Sequence, residues 1–210
     1  MERKRLSALF HSLVAMALVW SFDARDARAG DGTYFALEVD GGAAFGLVTD
    51  QERPGYSAGV SLGLGGRPGG MPIRLYILAA YNRNNLEVDG SVFDLDRTVN
   101  SLLFGPRVIV PLFAGLRLFC EALLGPAWVS SKLEAVSGHA SIEQDTETRF
   151  AYSLGVGLQY RILENLSLGI KASFQDEDKD DDDPILVPVT GSPGDPGMRI
   201  SASGFMTLHF

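Results

Sequence analysis

Cysteine is nearly absent. Cys120 stands alone in 210 residues, so no intrachain disulfide can form and no paired thiol is on hand for a metal. Long apolar runs are scarce as well. Only Leu6 to Trp20 is mostly apolar over about the length of a signal-peptide core. It follows a basic start (Arg3, Lys4, Arg5) and precedes the A-x-A site Ala27-Arg28-Ala29, so residues 1–29 read as a cleaved export signal. The alternative is a retained amino-terminal anchor, for which the run is short and interrupted. Beyond it no stretch is long enough for a transmembrane helix, so the chain could span a membrane only as a closed β-barrel. Basic charge is short too. Setting aside residues 1–29 removes five basic and three acidic side chains from totals of 18 and 26, which leaves a net charge of −10. That excess argues against nucleic acid as a partner.

Alternation is what the chain does have. Its last stretch, Arg199 to Phe210, places Ile200, Ala202, Gly204, Met206, Leu208 and Phe210 on one side. Ser201, Ser203, Phe205, Thr207 and His209 fall on the other. This period of two is a strand with unlike faces, ending on an aromatic residue. The same split recurs over Tyr34–Leu47, Tyr56–Gly65, Pro72–Asn82, Thr98–Pro111, Leu116–Val129, Arg149–Ile162 and Leu166–Gln175. Short turns follow the second, fourth and sixth segments. The other connections are the short 48–55 and three longer ones, Arg83–Arg97, Ser130–Thr148 and Asp176–Met198. Eight strands with short turns at one end and longer loops at the other predict an all-β fold. It is an eight-stranded antiparallel up-and-down transmembrane β-barrel over residues 30–210.

The soluble alternatives are an eight-stranded ligand-binding barrel and a β-sandwich, with the apolar faces turned inward. Two features favour the membrane barrel. The polar faces are rich in Gly, Ser and Ala rather than Lys and Glu, which suits the inside of a narrow barrel. Aromatics such as Phe35, Phe45, Tyr56, Trp128, Phe150 and Tyr160 recur near strand ends, as two interfacial girdles require. Ten strands remain open if Ile185–Val189 pairs.

On this reading the inward charges are Glu38, Asp40 and Glu121 against Arg74, Arg107, Arg161, Lys171 and Arg199. Buried alone they are costly, so pairing is expected. Arg107 and Glu121 are equidistant from the turn at Ala114 and should face each other as a lumenal ion pair. The pair reads either as a gate or as a structural plug. The run 176–183 holds seven acids and one lysine. It lacks the glycine-bearing spacing of a dedicated calcium loop and reads as solvated rather than metal-binding. Cys120 reads as a small lipid-facing residue. Catalysis would need a histidine with serine and a carboxylate near the outer rim. His139 has Ser137, Ser141 and Glu143 nearby, and His209 lies on the last strand. Neither makes a recognisable motif, so no catalytic residue, metal or cofactor is assigned.

The segments TYFALEVDGGAAFG, SLLFGPRVIVPL, LFCEALLGPAWV, SLGVGLQYRI and LSLGIKASF and the terminal phenylalanine carry a family likeness. With them the chain resembles the OmpA/opacity-type family of small outer-membrane β-barrel domains. The resemblance implies the bacterial outer membrane, with its lipid and the barrel-assembly machinery as partners and Phe210 as the insertion signal. It leaves the activity open among surface anchors or adhesins, narrow porin-like channels and lipid-modifying enzymes. The reading taken forward is a non-enzymatic structural or surface-interaction barrel with a packed polar lumen, meeting any extracellular partner through its loops. No peptidoglycan-anchoring domain is expected after Phe210.

Overall fold

The computed structural model describes residues 34–46, 52–68, 72–88, 93–135, 141–143, 146–178 and 198–210. The expected signal (1–29), the segment Ile185–Val189, His139 and residues 179–183 of the acidic run lie outside them. The strands are β1 (Tyr34–Gly46), β2 (Glu52–Gly66), β3 (Arg74–Val88), β4 (Phe93–Pro111) and β5 (Leu116–Ala135), followed by β6 (Ser141–Glu143), β7 (Glu147–Arg161), β8 (Leu166–Glu177) and β9 (Arg199–His209). Every pairing is antiparallel, and β4 pairs with β5 to close the sheet. Eight strands make the barrel. The three-residue β6 pairs only with the far end of β5, at Lys132↔Glu143 to Glu134↔Ser141.

The seam between first and last strands runs from Ala36↔His209 to Gly46↔Arg199. Reciprocal bonds tie its end: Phe35 N–H donates to the Phe210 carbonyl at 3.2 Å and Phe210 N–H to the Phe35 carbonyl at 2.9 Å. No edge is left between β1 and β9, which is what a lipid-exposed sheet requires. The turn from β4 to β5 is the tightest connection. Ala114 (φ 45°) and Gly115 (φ 85°) are both left-handed, and Leu116 N–H donates to the Phe113 carbonyl at 2.8 Å. Two consecutive positive φ values make the primed turn whose twist matches the flanking strands.

The alternation sets two faces. Along β7 buried and exposed residues alternate from Ala151 to Tyr160. Large apolar side chains cover the outside, with Ile170 65 %, Ile77 64 %, Leu124 55 % and Leu154 54 % exposed. Exposed aromatics stand near both ends of this belt, Phe45, Tyr56 and Phe150 towards the loops and Phe35, Phe113 and Tyr160 towards the turns. An apolar outer band between aromatic girdles faces hydrocarbon, not water. Cys120 is exposed on this outer face. No helix among the described residues is long and apolar enough to cross a membrane.

At the loop end β2, β3, β4, β5 and β8 extend beyond the sequence reading. β2 begins at Glu52 rather than Tyr56, passing through an irregularity between Arg53 and Tyr56. Pro54 lies inside it, where a ladder donor is not needed. β3 and β4 continue through most of the expected loop Arg83–Arg97, in register from Arg83↔Asn100 to Val88↔Leu95. β5 runs on to Ala135, and β8 takes in Asp176 and Glu177. Above the apolar belt the outer face turns polar (Arg83, Glu87, Asp94, Asp96) while Leu86 is buried inside, so the apolar-out pattern that marks strands within the belt does not continue there. Cross-strand bonds such as Asn85 Nδ2 to Thr98 Oγ1 (2.8 Å) and Tyr81 OH to Asn100 Oδ1 (2.9 Å) take its place.

The lumen is also less uniformly polar than expected. Tyr76, Leu78, Leu103, Phe119, Leu123 and Phe205 are buried inside it. Phe119 and Phe205 meet edge to face with ring centroids 5.5 Å apart. Their bulk is accommodated by Gly157 and Gly169, where a Cβ would collide with the Phe119 and Phe205 rings respectively and with neighbouring backbone oxygens. Large side chains on some strands facing glycine on others is how a barrel this narrow is filled.

Candidate functional site: the charged lumen

Three groups of charge are stacked along the barrel. The middle one is centred on Arg107 of β4. Its guanidinium donates from Nη1 to Glu38 Oε2 (2.6 Å) and from Nη2 to Glu38 Oε1 (2.8 Å). This two-pronged bond spans the lumen from β4 to β1. Nε donates to Glu121 Oε2 at 2.8 Å, and Arg107 and Glu121 are register partners on β4 and β5. Lys171 completes the group, its Nζ lying 3.4 Å from Asp40 Oδ2, 3.6 Å from Glu38 Oε1 and 3.9 Å from Glu121 Oε1. Thr207 Oγ1 donates to Glu38 Oε2 at 3.1 Å. The Arg107 guanidinium also lies 4.5 Å from the Phe119 ring centre, a favourable cation–π position. Three carboxylates, an arginine and a lysine thus meet with all five buried or nearly so.

The loop-side group is built on Glu177. Arg97 Nη2 donates to its Oε2 at 3.0 Å, and Arg199 Nη1 donates to its Oε1. Arg97 and Arg199 are 2 % and 1 % exposed. Arg97 Nε and Nη1 and Arg199 Nε and Nη2 have no hydrogen-bond partner. Between this group and the middle one run neutral bridges, Asn84 Nδ2 to Gln175 Oε1 (3.3 Å) and Gln175 Nε2 to Ser101 Oγ (3.3 Å). The space left among Asp40, Ser57, Asn84, Lys171 and Ser201 is about 20 Å³, which suits single water molecules.

The turn-side group consists of Arg67, Arg74, Arg117 and Arg161. Arg74 stacks on Tyr34, 4.8 Å from the ring centre. Arg161 differs from the sequence reading. Its guanidinium folds over the rim onto the backbone carbonyls of Leu163 (3.2 Å) and Glu164 instead of entering the lumen. One strand position from the turn, the tight backbone there offers free carbonyls that a long side chain reaches more readily than a distant carboxylate.

Sequence reasoning named Arg107, Glu121, Glu38, Asp40 and Lys171, and the structure brings all five together. It brings Arg199 to Glu177 instead, and leaves Arg74 at the turn end. Arg97 and Glu177 were missed because both fell in stretches read as loop. The signal for Glu177 was present: it continues the inward series Lys171, Ser173, Gln175. A Ser–His contact also went unforeseen, Ser167 Oγ to His209 Nε2 at 2.9 Å. Ser167 is fully buried, His209 Nδ1 has no partner, and the adjoining cavity is about 10 Å³. The pair therefore lacks both the orienting carboxylate and the room a nucleophilic site needs. Among the described residues no group of three or more His, Cys, Asp or Glu is arranged to hold a metal ion.

No protein-family model matches the chain, and no curated relative does. Solved structures do match. A major outer membrane protein from Thermus thermophilus shares 11% identity, with 85% of this chain and 99% of that one covered and a TM-score of 0.52. Ail, the attachment invasion locus protein of Yersinia pestis, in complex with the heparin analogue sucrose octasulfate, shares 12% over 86% and 99% with a TM-score of 0.50. Neisserial surface protein A shares 14% over 85% and 97% with a TM-score of 0.48. At such identities the likeness is one of architecture, and with the closed sheet and its apolar belt it establishes that this chain has the fold of the small bacterial outer-membrane β-barrels.

Proposed function

We propose that the protein is a non-enzymatic structural or surface-interaction barrel of the bacterial outer membrane, closed to solutes, which holds its loops outside the cell. The observation that carries this reading is the Arg107 cluster. The Arg107–Glu38 fork joins opposite parts of the wall, and a space beside it is only about 20 Å³. An eight-stranded barrel leaves an interior that side chains fill, and here ion pairs lock them. Catalysis is disfavoured by the buried, two-membered Ser167–His209 contact. Any extracellular partner would meet the segments joining β1–β2, β3–β4, β5–β7 and β8–β9.

The test is conductance. Residues 30–210, refolded and inserted in a planar bilayer, are expected to stay silent, with insertion verified by protease protection. Steady ion-selective current from the wild-type barrel would replace this reading with the narrow porin-like channel and make Arg107 and Glu121 its gate.

The same proposal gives Phe210 its role as the signal read by the barrel-assembly machinery. Phe210 also closes the seam through Phe35. Deleting Phe210 is expected to cut outer-membrane assembly in cells several-fold while leaving spontaneous refolding in detergent almost unchanged. Equal losses in both settings would make the residue structural only.

A further inference from the structure

Among the described residues, the buried charge at the turn-side mouth is of one sign, that of Arg74 and Arg117. Arg117 starts β5, opposite Pro111 and Gln159 in the sheet register. The register sets Arg74 of β3 opposite Ile109, two residues from Pro111 on β4, and Arg161 two residues beyond Gln159 on β7, and Arg67 directly follows β2 at the same end of the barrel. Among the described residues none of the four is ion-paired with a carboxylate, whereas Arg107, Arg97 and Arg199 each are. Among the described residues of the turns the acidic side chain is that of Glu164, and it is ion-paired with none of the four. Arg117 is only 8 % exposed, and its Nη1 is buried without a hydrogen-bond partner.

A buried guanidinium among three others, with a donor unspent, is costly unless something anionic is supplied. Elsewhere in this lumen the chain provides that anion itself. Among the described residues it does not at this mouth, and the short turns lie on the side of the aqueous space beyond the membrane. Guanidinium groups present planar forks that match phosphate oxygens, and several around one point suit a group with more than one negative charge.

We propose that the turn-side mouth of the barrel is a phosphate-binding site in which Arg117 and Arg74 hold the group from inside the lumen and Arg161 and Arg67 attract it at the rim. The phosphate is either dissolved or carried by an anionic phospholipid headgroup of the adjacent leaflet. Occupancy would tie the ends of β3, β5 and β7 together at the end where no carboxylate does so.

The experiment uses the barrel refolded in maltoside micelles, which contain no phosphate, at low salt. Inorganic phosphate is titrated by calorimetry, and in a second arm phosphatidylglycerol is added and the melting temperature recorded. Saturable heat on adding phosphate, weakened about tenfold or more by Arg117→Gln, supports the site with a dissolved ligand. No heat, but a rise in melting temperature with phosphatidylglycerol that Arg117→Gln abolishes, supports the site with a lipid headgroup. No response in either arm, or equal responses in wild type and variant, overturns the proposal. The unliganded Arg117→Gln barrel should melt no lower than wild type, because a repelling charge is gone. A clear drop would make Arg117 a structural residue and also count against the site. If Arg117→Gln does not refold, Arg117→Lys serves. It keeps the charge and loses the fork, so affinity should fall by severalfold, and unchanged affinity overturns the proposal.

Discussion

Arg107→Met is expected to destabilise the barrel by about 3–5 kcal/mol, the range for removing one partner of a buried ion pair, measured by reversible urea unfolding in lipid vesicles. Arg107 answers two carboxylates at once, Glu38 through both terminal nitrogens and Glu121 through Nε. Without it Glu38, Asp40 and Glu121 would share only Lys171, whose Nζ is no closer than 3.4 Å to any of them. Methionine fills much of the volume and stays over Phe119, so the loss reports charge and hydrogen bonds more than packing. The sign of a companion change makes the result interpretable. With every group ionised the middle cluster carries three negative charges against two positive ones. Glu121→Gln removes the excess and keeps a polar group in reach of Arg107, so it should cost markedly less than Arg107→Met. Equal costs for the two substitutions would show that the cluster is solvated and that its charges do not hold the barrel shut. Arg107→Lys should fall between them, since a lysine keeps the charge and cannot make the fork to Glu38.

Glu177→Gln has the second largest expected effect, about 3 kcal/mol by the same reasoning, but localised at the loop end. Glu177 is the carboxylate to which both Arg97 and Arg199 are paired. Neutralising it leaves two guanidinium groups, nearly fully buried, beside each other with four further nitrogens already unsatisfied. The register pairs Gln175↔Arg199 and Phe174↔Ile200 sit next to this point, so the ends of β8 and β9 should open before the rest of the wall does. Hydrogen exchange reads this directly. Faster exchange confined to the loop-side ends of β8, β9 and β4, with the Arg107 region unchanged, is the expected pattern. Uniform acceleration around the whole barrel would mean that the two charged groups are one cooperative unit.

The two groups differ in how visible they were. Arg107 and Glu121 could be placed opposite each other by counting from Ala114, because a short turn sets the register of its hairpin. Glu38, Asp40 and Lys171 were identifiable as inward by alternation, but which of them met Arg107 was not, since β1, β4 and β8 are not neighbours in the sheet. Glu177 and Arg97 were lost in stretches read as loop, where the outer face is polar and the apolar-out pattern of the belt is missing. Arg161 went to the rim because the carbonyls of its own turn lie closer than any lumenal carboxylate. The apolar layer at Phe119 and Phe205 was present as exceptions to the polar face, yet its fit depends on Gly157 and Gly169, which lie on other strands.

By itself, then, the sequence determined the class of fold, the number of strands in the wall, the direction each belt residue faces and the pairing within one tight hairpin. All of these follow from local periodicity and turn chemistry, which act over a few residues. The tertiary structure alone decided which charges meet across the lumen, how far the strands rise past the belt, and that among the described residues the cations at the turn-side mouth are left without carboxylate partners. Those depend on closing the sheet, which brings β1, β4, β5 and β8 within side-chain reach around one narrow interior.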